Sequence, residues 1–167
     1  MTLEKPIDAV DKLCAQWVSE RPDLELNSME TIGRLKRCAA LLQPKLGNTF
    51  AEFGLNIWEF DVLATLRRSG KPYCLAPTEL FSTLMITSGT MTHRMTQLEK
   101  RGLIERLANP EDARSKLVQL TQEGFELIDR AVTAHVENED RILAGLNSEQ
   151  LERLNQGLRD LLAELEP

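Results

Sequence analysis

Between Pro77 and Thr121 the apolar residues change their period twice, and that change leaves few folds open. Pro77 suits the first position of a helix, and "PTELFSTL" reads as a short one. "LMIT" is a tight connection. Thr87 is a cap for a second helix through "SGTMTHRMTQLEKRG", which Gly102 ends. Directly behind it, "LIERLA" and "KLVQL" read as two short strands, and "NPEDARS" is their turn, opened by Asn109-Pro110. Two helices joined by three or four residues make a helix-turn-helix. With a hairpin directly behind it, the segment is a winged helix.

The flanks are helical. Pro6 to Glu20 places Ile7, Val10, Leu13, Cys14, Trp17 and Val18 on one side, and "RPD" ends that helix. Ser28 is the expected cap of the next, where Ile32, Leu35, Ala39, Leu42 and Leu46 form a narrow seam, with Gly47 and Asn48 as its expected stop. In "LNIWEFDVL", Asn56 and Glu59 read as a capping box and Leu55 with Phe60 as a hydrophobic staple. That third helix is apolar over most of its circumference, hence central, with Asp61 as a charged wedge. "KPYCLAP" leaves room for a brief extended piece. Thr121 caps a long helix to about Leu143. Asn147 or Ser148 caps the last, where Leu151, Leu154, Leu158, Leu161 and Leu165 form a second seam.

A chain of 167 residues has difficulty covering both seams and a winged helix at once. The expected fold is therefore mainly α with a small β-hairpin wing. The winged helix-turn-helix (51–120) is inserted between N-terminal (1–50) and C-terminal (121–167) dimerisation helices, and the molecule is a homodimer.

On a helical wheel, Met91, Met95 and Leu98 form the buried stripe of Ser88–Lys100. The other side presents Gly89, Thr92, His93, Thr96, Gln97 and Lys100, with Thr90 and Arg94 at the margin. An ordinary solvated face favours Glu and Lys. A face of Thr, His and Gln can exchange hydrogen bonds with base edges and phosphates without repelling DNA. Net charge is −6, which argues against nucleic acid until it is divided. Ile86 to Val118 carries six Lys/Arg against four Asp/Glu, and Glu123 to Pro167 carries four against eleven. The acidity belongs mostly to the C-terminal helices.

Other classes find little support. The two histidines, His93 and His135, fall on separate helices, and there is no HExxH, phosphate loop or paired-carboxylate motif, so no enzyme, cofactor or metal is expected. Cys14, Cys38 and Cys74 lack CxxC spacing, which disfavours disulfides and zinc. They are expected as buried small hydrophobes, with Cys38 the candidate if a thiol senses oxidation. No apolar run spans a bilayer and the N-terminus has no signal-peptide pattern. A cytoplasmic location with no membrane partner is expected. A winged-helix module that binds protein instead of DNA is the alternative of another class.

"LEKRGLIERLANPEDARSKLVQLTQEG" carries a more specific signal. An Asp, one residue, an Arg and a strand ending in Leu-Thr (Asp112, Arg114, Leu120, Thr121) resemble the wing of the MarR family of transcriptional regulators. "PTEL" and "GLNIWEFDVLATL" fit as well, and the resemblance runs from about Ser28 to Leu165. It implies a homodimeric regulator, a repressor by family default, that reads a pseudo-palindrome in double-stranded DNA and is released by a small aromatic or anionic effector. By position, Ser88, Thr90, Thr92, His93 and Arg94 would face the major groove, joined by Gln97. Arg114 would enter the minor groove from the wing, oriented by Asp112, with Lys116 beside it. The added N-terminal helix with its Trp resembles the urate-responsive members, which implies Trp17, Asp61, Arg106 and Arg114 as ligand residues. Urate or another purine, a phenolic or other aromatic acid, thiol oxidation and no ligand at all remain open on this reading.

Overall fold

The computed structural model describes residues 7–84, 88–110 and 115–166, with side chains omitted for 88–92. Helix α1 (Ala9–Glu20) precedes α2 (Asn27–Glu52) and α3 (Ile57–Arg68). Strand β1 (Cys74–Leu75) leads to α4 (Pro77–Leu84) and α5 (Ser88–Lys100). Strands β2 (Ile104–Ala108) and β3 (Lys116–Leu120) are followed by α6 (Gln122–Leu143) and α7 (Ser148–Leu165). The chain divides into two units, one ending at Lys45 and one beginning at Leu46.

In the first unit, Asp8 caps α1 by accepting from the backbone N–H groups of Val10 and Asp11, and Asp11 answers in a capping box. Val10, Cys14 and Leu26 form a small core. The helices approach closely at Gly33, where a β-carbon would lie 3.1 Å from Val10 Cγ1. Arg34 joins them, pairing with Asp8 at 2.8 Å, with Glu30 at 3.2 Å and with Asp11.

Helix α2 overruns its expected boundaries. It begins at Asn27, which puts Ser28 inside the helix, and it passes through Pro44, Gly47 and Asn48 to Glu52. Interior Pro and Gly cost helix stability, about 3 and 1 kcal/mol. Packing offsets that cost in the second unit: Thr49 and Phe50 are buried, and the Phe50 ring stacks on Phe60 at 4.0 Å. The actual stop is Gly54 at φ 65°. Leu55 N–H donates to Phe50 C=O and Gly54 N–H to Ala51 C=O, so the terminal carbonyls are satisfied in a Schellman turn.

Asn56 and Glu59 form the expected capping box on α3, and Leu55 and Phe60 are both buried in the main core. Helix α3 is central, with Phe60, Val62, Leu63, Thr65 and Leu66 buried around it. It packs against α4 and α6. Cys74–Leu75 joins the hairpin as a third strand: β1 pairs antiparallel with β3, Cys74 opposite Gln119, and β3 pairs with β2 in the order β1-β3-β2. Helix α5 ends in a second Schellman turn, with Gly102 at φ 71° and Leu103 N–H donating to Leu98 C=O. Thr121 caps α6 and Asn147 caps α7. No residue of α7 is buried, and Leu154, Leu158, Leu162 and Leu165 are exposed. Among the described residues, no helix is long and apolar enough to cross a membrane.

Candidate nucleic-acid interface

The Met95 and Leu98 side chains fix the roll of α5, since both are buried in the core. That roll turns His93 and Lys100 outward, with Gln97 Nε2 3.4 Å from His93 Nε2. The backbone of Ser88, Thr90 and Thr92 lies on this helix; their side chains lie outside the described residues, as do Thr87, Asp112 and Arg114. Lys116 is exposed at the start of β3, opposite Ala108 on β2.

Three arginines on or beside α5 are used in different ways. Arg101 donates to the Glu59 carboxylate at 2.6 Å and to the Gly54 carbonyl at 2.9 Å. Glu59 also accepts from its cap, Asn56 N–H, so this buried carboxylate ties the start of α3 to the end of α5. Arg106 on β2 reaches back to α5, donating to Thr96 Oγ1 at 3.1 Å and pairing with Glu99 at 3.3 Å. Glu99 is the one acid in the α5 sequence, and this contact compensates it. Arg94 differs: its guanidinium lies 5.1 Å over the Trp58 ring of α3. The capping pattern points to Glu59 but not to Arg101, which is 42 residues away in sequence.

The expected ligand residues lie on different elements. Trp17 lies on α1, in the first unit, and is 43% exposed. Asp61 is half-buried on α3; burial raises its carboxyl above the ordinary 3.8, and the charges of Arg68 and His135 oppose that shift. The Arg106 contacts are with Thr96 and Glu99, and none joins it to Asp61. His135, placed only on a separate helix by the sequence, has its ring against Phe50 and Phe60 and its Nε2 3.2 Å from Glu139. The cysteines do not share one environment as expected: Cys14 is buried, Cys74 intermediate and Cys38 exposed on α2. Cys38, on α2, departs from the buried expectation by being exposed. Among the described residues, no group of three or more His, Cys, Asp or Glu could hold a metal ion.

Comparison with known proteins places this architecture. The MarR family model matches residues 55–116. The HTH-type transcriptional regulator PecS of Dickeya dadantii is 42% identical over 157 residues, covering 94% of this chain and 92% of that protein. The multiple antibiotic resistance protein MarR of Salmonella typhimurium is 34% identical over 85 residues, or 51% of this chain and 57% of that protein. Among solved structures, Sco3205 of Streptomyces coelicolor, a MarR family transcriptional regulator in complex with DNA, superposes with a TM-score of 0.75 at 26% identity, over 86% of this chain and 94% of that one. A mutant MarR from E. coli complexed with operator DNA shares the fold at a TM-score of 0.70 and 24% identity, over 85% of this chain and 98% of that one. These relatives are transcriptional regulators and not enzymes; by its match along nearly the whole length of PecS, the chain belongs to the MarR family of winged-helix transcriptional regulators.

Proposed function

We propose that the chain is a homodimeric, effector-controlled DNA-binding regulator, a cytoplasmic repressor that reads a pseudo-palindromic operator. The observation that carries the DNA reading is the outer surface of α5. His93 and Lys100 are exposed, and the helix's single acid is compensated by Arg106. A duplex meets hydrogen-bonding groups and positive charge there, with no free carboxylate. Ser88, Thr90, Thr92, His93, Arg94 and Gln97 are assigned to the major groove and Arg114 with Lys116 to the wing's contact with the backbone and minor groove.

The dimer reading is supported by the unfilled leucine stripe of α7 and by exposed Leu13, Ile32, Leu35 and Leu42 on α1 and α2. These are the elements assigned to dimerisation, residues 1–50 and 121–167. Two reading heads on one rigid dimer suit half-sites about one helical turn apart, roughly 34 Å. The effector is assigned as a small flat anion, urate or a phenolic acid, acting through Trp17, Asp61, Arg106 and Arg114. Arginine matches such an anion by paired N–H donors. An effector must bind the DNA-competent and DNA-free states with different affinities to release DNA.

A salt titration tests the DNA reading. Affinity for a duplex selected by the protein from a random pool falls steeply as salt rises, because bound phosphates release counterions. Flat salt dependence, or no binding at low salt, refutes it. Urate-driven release that survives both Trp17→Ala and Asp61→Asn removes the effector assignment and leaves the DNA reading standing.

A further inference from the structure

The geometry points to Trp58 as a positioning residue that aims the Arg94 guanidinium at the operator. This inference rests on the DNA-binding reading above.

Guanidinium groups around α5 are spent in different ways. Arg101 gives its N–H donors to Glu59 and Gly54, and Arg106 gives its own to Thr96 and Glu99. Both hold the helix in place and are not turned to a base edge or phosphate. Arg94 has no acid within ion-pair distance among the described residues. Its contact is the Trp58 face. A guanidinium held over an aromatic ring by a cation–π contact spends none of its N–H donors on a carboxylate. Those donors are what a bidentate contact to guanine O6 and N7, or to a phosphate, requires.

Trp58 is suited to hold such a group. It sits in the first turn of α3 and packs against the core, so its ring is anchored from beneath. The Glu59–Arg101 pair, at the neighbouring residue, joins this same turn to the far end of α5. Arg94 is otherwise a long side chain with many rotamers, and ordering it on binding costs affinity. A preformed cation–π contact removes much of that cost before DNA arrives. Lysine at position 94 would keep the charge and lose the paired edge.

The test is a double-mutant cycle on the duplex selected by the wild-type protein, with Trp58→Leu, Trp58→Phe, Arg94→Ala and the Trp58→Leu/Arg94→Ala pair. Trp58→Leu weakens binding about three- to tenfold in the wild-type background, the scale of one partly exposed cation–π contact. In the Arg94→Ala background the same change costs less than about twofold, because the group it aims is gone. Trp58→Phe, which keeps a ring and the packing, retains most of the affinity. A second readout is optical. The chain has two tryptophans, so with Trp17→Phe the emission comes from Trp58 alone, and Arg94→Ala shifts it in the free protein. Equal losses from Trp58→Leu in both backgrounds, or a Trp58→Phe protein as weak as Trp58→Leu, overturn the inference while DNA binding stands. Absence of binding by the wild-type protein at low salt overturns the DNA reading and this inference with it.

Discussion

Gly124→Ala is a substitution for which helix propensity and tertiary structure give opposite signs. Gly124 lies in the first turn of α6, and by propensity alone alanine there gains up to about 1 kcal/mol. The surroundings reverse this. A β-carbon at position 124 would lie 2.0 Å from the Leu103 carbonyl oxygen and 2.9 Å from its carbon. Both are backbone atoms, so no side-chain rotation relieves the contact. Ordinary van der Waals separation begins near 3.4 Å, so α6 and the approach to β2 must part by about 1.4 Å, the difference between 3.4 and 2.0. Three hydrogen bonds cross or border that seam. Thr121 N–H donates to Leu103 C=O at 3.2 Å, the Thr121 hydroxyl donates to Gly102 C=O at 2.6 Å, and the same hydroxyl caps Gly124 N–H at 3.0 Å. Losing two of the three costs about 1 kcal/mol each, and loss of the cap is of the same order. Residual overpacking adds about 1 kcal/mol or more. Set against the propensity gain, the net destabilisation is about 2–3 kcal/mol. For a chain of this length that lowers Tm by about 5–10 °C. The assay is thermal unfolding at one fixed protomer concentration, since an oligomer's Tm depends on it. Gly145→Ala is the control: nothing lies within 4 Å of its added carbon and its φ is not positive, so its Tm is unchanged or slightly raised. A Gly124→Ala protein with wild-type or higher Tm refutes the close approach and the reasoning built on it.

Three further outcomes are expected. Arg101→Ala leaves the Glu59 carboxylate buried with only its cap bond, and because Arg101 is itself 37% exposed the loss is about 1–3 kcal/mol, read by urea denaturation; Glu59→Gln in the Arg101→Ala background recovers part of it. Asp61→Asn raises the urea midpoint at pH 7, because burial raises the folded-state carboxyl above its ordinary 3.8 and the ionised form therefore destabilises the fold as pH rises past that value; below pH 3.8 both states are protonated and the gain vanishes, and an equal gain at pH 3 and pH 7 rejects the cause. Arg34→Met removes the cation shared by Asp8, Asp11 and Glu30, so limited proteolysis cuts sooner between α1 and α2. Arg34 also holds the Asp8 carboxyl down at about 2, so in the wild-type protein the same acceleration appears on acidifying from pH 4 towards 2, as the stabilising charge is protonated.

What the amino-acid order settles by itself is local. The capping box at Asn56, the stop at Gly102 and the Met95–Leu98 stripe follow from neighbours within about four residues, and the hairpin from Ile104 to Leu120 follows from two short apolar runs with a turn between them. Those rules suffice to recover the helix-turn-helix and hairpin order and the outward turn of His93 and Lys100. The stop expected at Gly47 failed for a reason the local pattern does not contain: beyond Gly47 and Pro44 the helix buries Thr49 and Phe50, and the Phe50 ring packs on Phe60. The third strand is equally non-local, because Cys74 finds its partner at Gln119. The partition of the arginines is decided the same way. Nothing near Arg94, Arg101 or Arg106 in the chain says which will lie over an indole, which will close on a buried carboxylate and which will grip α5 from β2. Each partner is brought in by packing of another element, and only then does the chemistry of the face become definite. Gly124 is the sharpest instance: its own segment favours alanine, and one carbonyl oxygen from the chain leading into β2 forbids it.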